Sequence, residues 1–149
     1  DQMFAEVKKY FSFSDISIMS AAVSDYKPKN TINTKIKKEN QNILSIELVE
    51  NIDILKYLGL NKSKEQILVG FALETDNEII NAKSKINKKN LDAIVLNSLR
   101  DEGAGFGHDT NKISYINSSG LIKKFKLKSK DKVSVDIFIE IINDFYEKI

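Results

Sequence analysis

The 149-residue sequence contains no cysteine, no tryptophan, a single proline (Pro28) and a single histidine (His108). Without cysteine there is neither a disulfide framework nor a thiolate metal site. One histidine excludes a multi-histidine metal centre built within the chain. Charge of one sign is also lacking: 23 Lys and Arg against 21 Asp and Glu leave a net charge of +2, so there is no electrostatic case for nucleic acid as a partner. No apolar run approaches the roughly 20 residues that span a bilayer. No secretory leader stands at the start. A membrane partner is therefore not expected, and the absence of cysteine fits a reducing cytoplasm.

What is present is enough apolar material for one core. Hydrophobic residues make up 42% of the chain, which fits a single domain over residues 1–149. Met3, Phe4, Val7, Tyr10 and Phe11 recur at helical spacing within a helix predicted over Gln2–Phe13. Because Asp1 is not preceded by methionine and Met3 already lies in this stretch, a segment upstream of it is expected. Ile16–Val23, Ile67–Leu73 and Ala93–Leu96 read as strands buried on both faces, and Leu44–Val49 as a strand with one wet face. A polar loop, Ser24–Thr34, follows the first strand. Asn51 or Asp53 can cap a short helix that runs through Leu58 and stops at Gly59. Glu78–Lys88 forms another helix. Asn117-Ser118-Ser119-Gly120 is a hairpin turn between Ile113–Ile116 and Leu121–Leu127. In a last helix, about Lys132–Lys148, Val133, Ile137, Ile141, Phe145 and Ile149 step by four along one face. Strands alternating with helices predict an α/β fold: a Rossmann-like, mostly parallel sheet with helices on both faces, closed by a C-terminal hairpin and helix.

Ligands of such sheets sit at the carboxyl ends of the strands, and several segments there carry two readings each. In Met19-Ser20-Ala21-Ala22-Val23-Ser24-Asp25, small residues allow close approach to the backbone, and Asp25 either holds Mg²⁺ on a phosphate or is a turn residue. Lys35-Ile36-Lys37-Lys38 either neutralises a transferring phosphoryl or nucleotidyl group or is a solvated edge. Asn51-Ile52-Asp53-Ile54-Leu55 opens a helix whose free N–H groups either bind phosphate or base edges or are simply capped. Gly70 marks close backbone contact, and Phe71 either covers a nucleobase or belongs to the core. Lys85 and Lys89, four apart on a helix, either reach one anion together or form a wet face. The glycines at 103, 105 and 107 match no Walker or dinucleotide spacing and equally fit a tight turn. His108 is given no catalytic role.

The order and content of these segments, Ala-Ala-Val-Ser-Asp-Tyr-Lys-Pro, Lys-Ile-Lys-Lys, Asn-Ile-Asp-Ile-Leu, Val-Gly-Phe-Ala-Leu-Glu-Thr, then Lys85 to Asp92 and Asn97, resemble the phosphopantothenate–cysteine ligases of coenzyme A biosynthesis. The resemblance covers essentially the whole chain. It implies a CTP-dependent ligase in which the carboxylate of phosphopantothenate attacks the α-phosphorus, giving an acyl-cytidylate that the amine of cysteine then opens. It also implies roles: Lys35 catalytic; Met19, Ser20, Ala21, Asp25, Lys35, Ile52, Asp53, Ile54, Leu55, Phe71, Lys85 and Lys89 on CTP; Ala21 and Ala22 beside the acyl group; Asp25 on Mg²⁺. Bacterial members are often fused to a flavin-dependent decarboxylase, so FMN is expected only if such a half is joined. A homodimer is expected, with the Lys35 region near the subunit contact. Nothing here matches the family's upstream strand and glycine- and serine-rich turn, whose asparagine acts on the acyl-cytidylate. The 149 residues alone are therefore expected to hold CTP contacts without turning over. The competing expectations are an NAD(P)-dependent Rossmann-like oxidoreductase and a non-catalytic nucleotide-binding module.

Overall fold

The computed structural model describes residues 1–36, 45–101, 103–104 and 107–146. Its elements run α1 (Gln2–Phe11), β1 (Ile16–Met19), β2 (Tyr26–Pro28), β3 (Leu48–Glu50), α2 (Ile54–Asn61), β4 (Ile67–Glu74), α3 (Glu78–Lys89), β5 (Ala93–Ser98), β6 (Thr110–Asn111), β7 (Ile113–Asn117), β8 (Ile122–Lys124), β9 (Lys128–Ser129) and α4 (Lys130–Phe145). One sheet has the order β1-β4-β5-β7-β8. Its first three strands are parallel, and β7 and β8 are antiparallel additions.

Alternation along the strands divides the core, because successive side chains point to opposite faces. Leu68, Ala72, Ile94, Leu96 and Ile116 pack with Phe11, Ile54, Leu58, Ala82 and Ile86 from α1, α2 and α3. Ile67, Val69, Ala93, Val95, Ile113 and Tyr115 pack with Val133, Ile137 and Ile141 of α4. Helices thus cover both faces of a mostly parallel sheet, as the pattern predicts. The stripe on α4 is the expected one as far as Phe145, which packs at its margin. Lys148 and Ile149 lie outside the described residues.

Four local expectations differ from the structure. The first strand ends at Met19 rather than Val23, because only Ile16–Met19 finds a partner in β4. The polar loop contains β2, which pairs with β3 in a separate antiparallel ribbon. The wet-faced strand shortens to Leu48–Glu50 within that ribbon, and Leu44 lies outside the described residues. The helix expected to stop at Gly59 continues to Asn61. Gly59 is instead a packing glycine: a Cβ there would lie 1.7 Å from the carbonyl oxygen of Lys89, and Asn90 Nδ2 donates to the Gly59 carbonyl at 2.7 Å. The hairpin turn is as predicted, with Gly120 at φ +96°, where an L side chain is strained.

At the amino ends of the parallel strands, Asp92 is buried. Its Oδ2 accepts from the Leu68 N–H at 2.8 Å and from Lys62 Nζ at 2.5 Å. This clamp ties the entry of β4 to that of β5 and gives Asp92 a structural place, remote from the carboxyl ends where chemistry is expected.

Candidate functional site

A cleft of about 430 Å³ opens at the carboxyl ends of β1 and β4. Its walls are the loop leaving β1, the start of the β2–β3 ribbon, the first turn of α2, Phe71 of β4 and Lys89 of α3. The loop holds its shape through Asn51. The Asn51 backbone N–H donates to the Asp25 carbonyl at 2.8 Å, and its Nδ2 donates to the Ser24 carbonyl at 2.7 Å. Ser24 Oγ donates in turn to the Tyr26 carbonyl at 2.8 Å. The cap of α2 falls to Asp53, whose Oδ1 accepts from the Lys56 N–H at 2.9 Å. The two candidate caps therefore divide the work: Asp53 closes the helix and Asn51 clamps the loop.

The cations are already partnered. Lys89 lies 2.8 Å from Asp53 Oδ2, and Lys85 lies 2.6 Å from Glu74 Oε1. Asn81 Nδ2 donates to the other Glu74 oxygen at 3.1 Å. At Asp53, burial acts to raise the carboxyl pKa. It is outweighed by the hydrogen bond from Lys89, the Lys56 backbone N–H and the charges of both lysines, so the group sits below its ordinary value. Asp25 makes no ion pair among the described residues. The cleft brings three carboxylates to its walls, Asp25, Glu50 and Asp53, but among the described residues no three acidic or histidine side chains group as a metal cage. Asp25, which has no ion-pair partner among the described residues, fits Mg²⁺ carried in on phosphates, since that ion is usually held by one or two carboxylates together with phosphate oxygens and water.

The sequence-predicted residues converge unevenly. Met19, Ala21, Ala22, Asp25, Ile52, Asp53, Ile54, Leu55, Phe71 and Lys89 all line the cleft. Ser20 lines an adjoining pocket of about 230 Å³ that shares Ala21, Ala22 and Phe71 with it. Phe71 meets both of its readings: it packs against the α4-side core and presents the rest of its ring to both cavities. Lys85 is not among the cleft's lining residues, being drawn to Glu74. Lys35 is exposed on the loop and lines neither cavity. Lys37 and Lys38 lie outside the described residues. Gly70 makes its close contact with protein, since a Cβ there would meet Leu55 Cδ2 at 2.7 Å. Gly103 and Gly107 have φ of +76°, and the Thr110 hydroxyl donates to the Gly103 carbonyl at 2.5 Å; Gly105 and Phe106 lie outside the described residues. Sequence reasoning missed Tyr26 and Glu50, which the ribbon brings in, and Lys130, which lines the smaller pocket. The ribbon pairing was the absent signal.

A family model described as the DNA/pantothenate metabolism flavoprotein C-terminal domain matches residues 1–145. The chain belongs to that family. Among curated relatives it is 44% identical over 135 residues to the coenzyme A biosynthesis bifunctional protein CoaBC of Bacillus subtilis, covering 91% of this chain and 33% of that protein. It is 52% identical over 132 residues to a cysteine/cysteine sulfinic acid decarboxylase of an unknown prokaryotic organism, covering 89% of this chain and 36% of that protein. The solved C-terminal domain of a coenzyme A biosynthesis bifunctional protein CoaBC superposes with a TM-score of 0.75 at 33% identity, over 97% of this chain and 64% of that one. The chain thus spans about a third of the length of the curated relatives it matches. No helix among the described residues is long and apolar enough to cross a membrane.

Proposed function

We propose that this chain carries the nucleotide site of a ligase that joins cysteine to phosphopantothenate in coenzyme A biosynthesis, through an acyl-cytidylate made from CTP. The observation that carries this reading is convergence: segments from four separate parts of the sequence, singled out by their likeness to such ligases, meet at one cleft at the carboxyl ends of parallel strands. Family membership supports it, as do relatives named for coenzyme A biosynthesis.

On this reading the carboxylate of phosphopantothenate attacks the α-phosphorus of CTP and pyrophosphate departs. No covalent bond to the enzyme is needed, so positioning and charge neutralisation supply the rate. The Met19–Ala22 backbone approaches the nucleotide and the acyl group. The segment entering α2, Ile52 to Leu55, offers N–H groups to it. Phe71 gives it an aromatic face, and Lys89 and Lys85 meet the phosphates. Asp25 would hold Mg²⁺, which shields the triphosphate charge. Lys35 is the catalytic lysine, brought from the exposed loop. A homodimer contacting near Lys35, a cytoplasmic location, and FMN only with a joined decarboxylase half complete the proposal.

Thermal shift tests the nucleotide, since a ligand that binds the native state raises its melting temperature. CTP with Mg²⁺ is expected to stabilise the chain more than NADPH or FMN. A response to NADPH and none to CTP would replace this reading with the oxidoreductase one. In the full-length protein, an unchanged ligation rate in Lys35→Gln would remove the catalytic assignment and favour a non-catalytic module.

A further inference from the structure

The smaller pocket beside the cleft has a composition of its own. Its floor is apolar, from Phe71, Ala72 and Leu73 at the end of β4. Its polar groups are Ser20, Asn97 at the end of β5, and Lys130, the first residue of α4. Asn97 has a fixed amide: its Oδ1 accepts from Asn111 Nδ2 at 3.1 Å, which leaves its own Nδ2 as a donor. Lys130 makes no ion pair among the described residues, and no carboxylate lines the pocket. At about 230 Å³ it is smaller than the roughly 300–1,000 Å³ of sites that enclose drug-sized ligands. It shares Ala21 and Ala22, the backbone proposed to lie beside the acyl group, with the cleft.

We propose that this pocket receives the amino acid that attacks the activated acyl group, with its α-carboxylate on the Lys130 ammonium and the Asn97 amide and its side chain over the Phe71 and Leu73 floor. This rests on the ligase reading above and assigns the part of the site that reading leaves open. The electrostatics suit a nucleophile. A cation and donors with no anion bind a carboxylate firmly, while the same positive charge disfavours the ammonium form of the incoming amine. The ammonium gives one proton to water. The amine nitrogen then bonds to the acyl carbon, the bond from that carbon to the cytidylate oxygen breaks, CMP leaves with the electron pair, and the nitrogen gives a second proton to water.

The test uses the full-length protein and separates the two half-reactions. Pyrophosphate release from CTP and phosphopantothenate without amino acid reads the first; KM for cysteine reads the pocket. Lys130→Gln is expected to raise the KM for cysteine about tenfold, as loss of a charge-assisted contact does, and to leave pyrophosphate release within about twofold. Lys130→Arg is expected to restore the KM. Cysteamine, which is cysteine without its carboxylate, supplies the control that a folding defect would not mimic: wild type prefers cysteine to cysteamine, and Lys130→Gln removes that preference. A preference that survives in Lys130→Gln, or a loss of the first half-reaction together with the second, overturns the assignment. Failure of wild type to release pyrophosphate at all overturns the ligase reading instead.

Discussion

Asp53 is one residue with three attachments. It accepts from the Lys56 N–H in the first turn of α2, it pairs with Lys89, and it faces the cleft. Asp53→Ala is expected to cost about 1 kcal/mol, as loss of a helix cap does; the pair with Lys89 adds little, because both side chains are partly exposed. The sign of the pH dependence follows from the lowered pKa. Stability from Asp53 is complete above the ordinary carboxylate value of 3.8 and is lost as pH falls through the lower folded value. Urea unfolding followed down through that range should show a loss in wild type that is smaller in Asp53→Asn; equal losses would contradict it. The sequence narrowed the cap to two residues but did not divide their duties. A hydrogen bond from Asn51 to a carbonyl 27 positions away depends on the ribbon bringing β3 beside the loop, and no local pattern encodes that.

At the scale of elements, the buried strands and amphipathic helices were legible because their side chains alternate or step with the period of the structure they form. The ribbon was not: Tyr26–Pro28 is three residues long and largely exposed, so it carries no apolar period. Gly59 misled for a different reason. A glycine near a predicted helix end reads as a stop, yet here it is the point where α2 meets the end of α3. Gly59→Ala should therefore act as overpacking, destabilising by about 2 kcal/mol or more and lowering the melting temperature by roughly 5 °C. Because the displaced atom is the Lys89 carbonyl, CTP binding should weaken in the same variant. A variant as stable as wild type would show that the helices separate easily.

At the scale of the whole molecule, the sheet has a fixed end and a receptive end. Asp92 and Lys62 bind the strand entries together, and the cleft and its side pocket occupy the strand exits. The fold brings most of the residues singled out by the family resemblance to the cleft, because they sit on rigid elements or next to them. It left Lys85 and Lys35 away from the cleft, since the first is held by Glu74 and the second rides an exposed loop. The pairing of Lys85 and Lys89 has a consequence for what can enter. An anion that reaches these lysines does not meet bare charge; it must displace Glu74 or Asp53, as an ion displaces a counterion on an exchange resin. Such exchange ranks ligands by charge density rather than by size. Triphosphate and pyrophosphate should therefore compete with CTP far better than sulfate or monophosphate at equal ionic strength, and equal competition by all four would show that the carboxylates yield without contest.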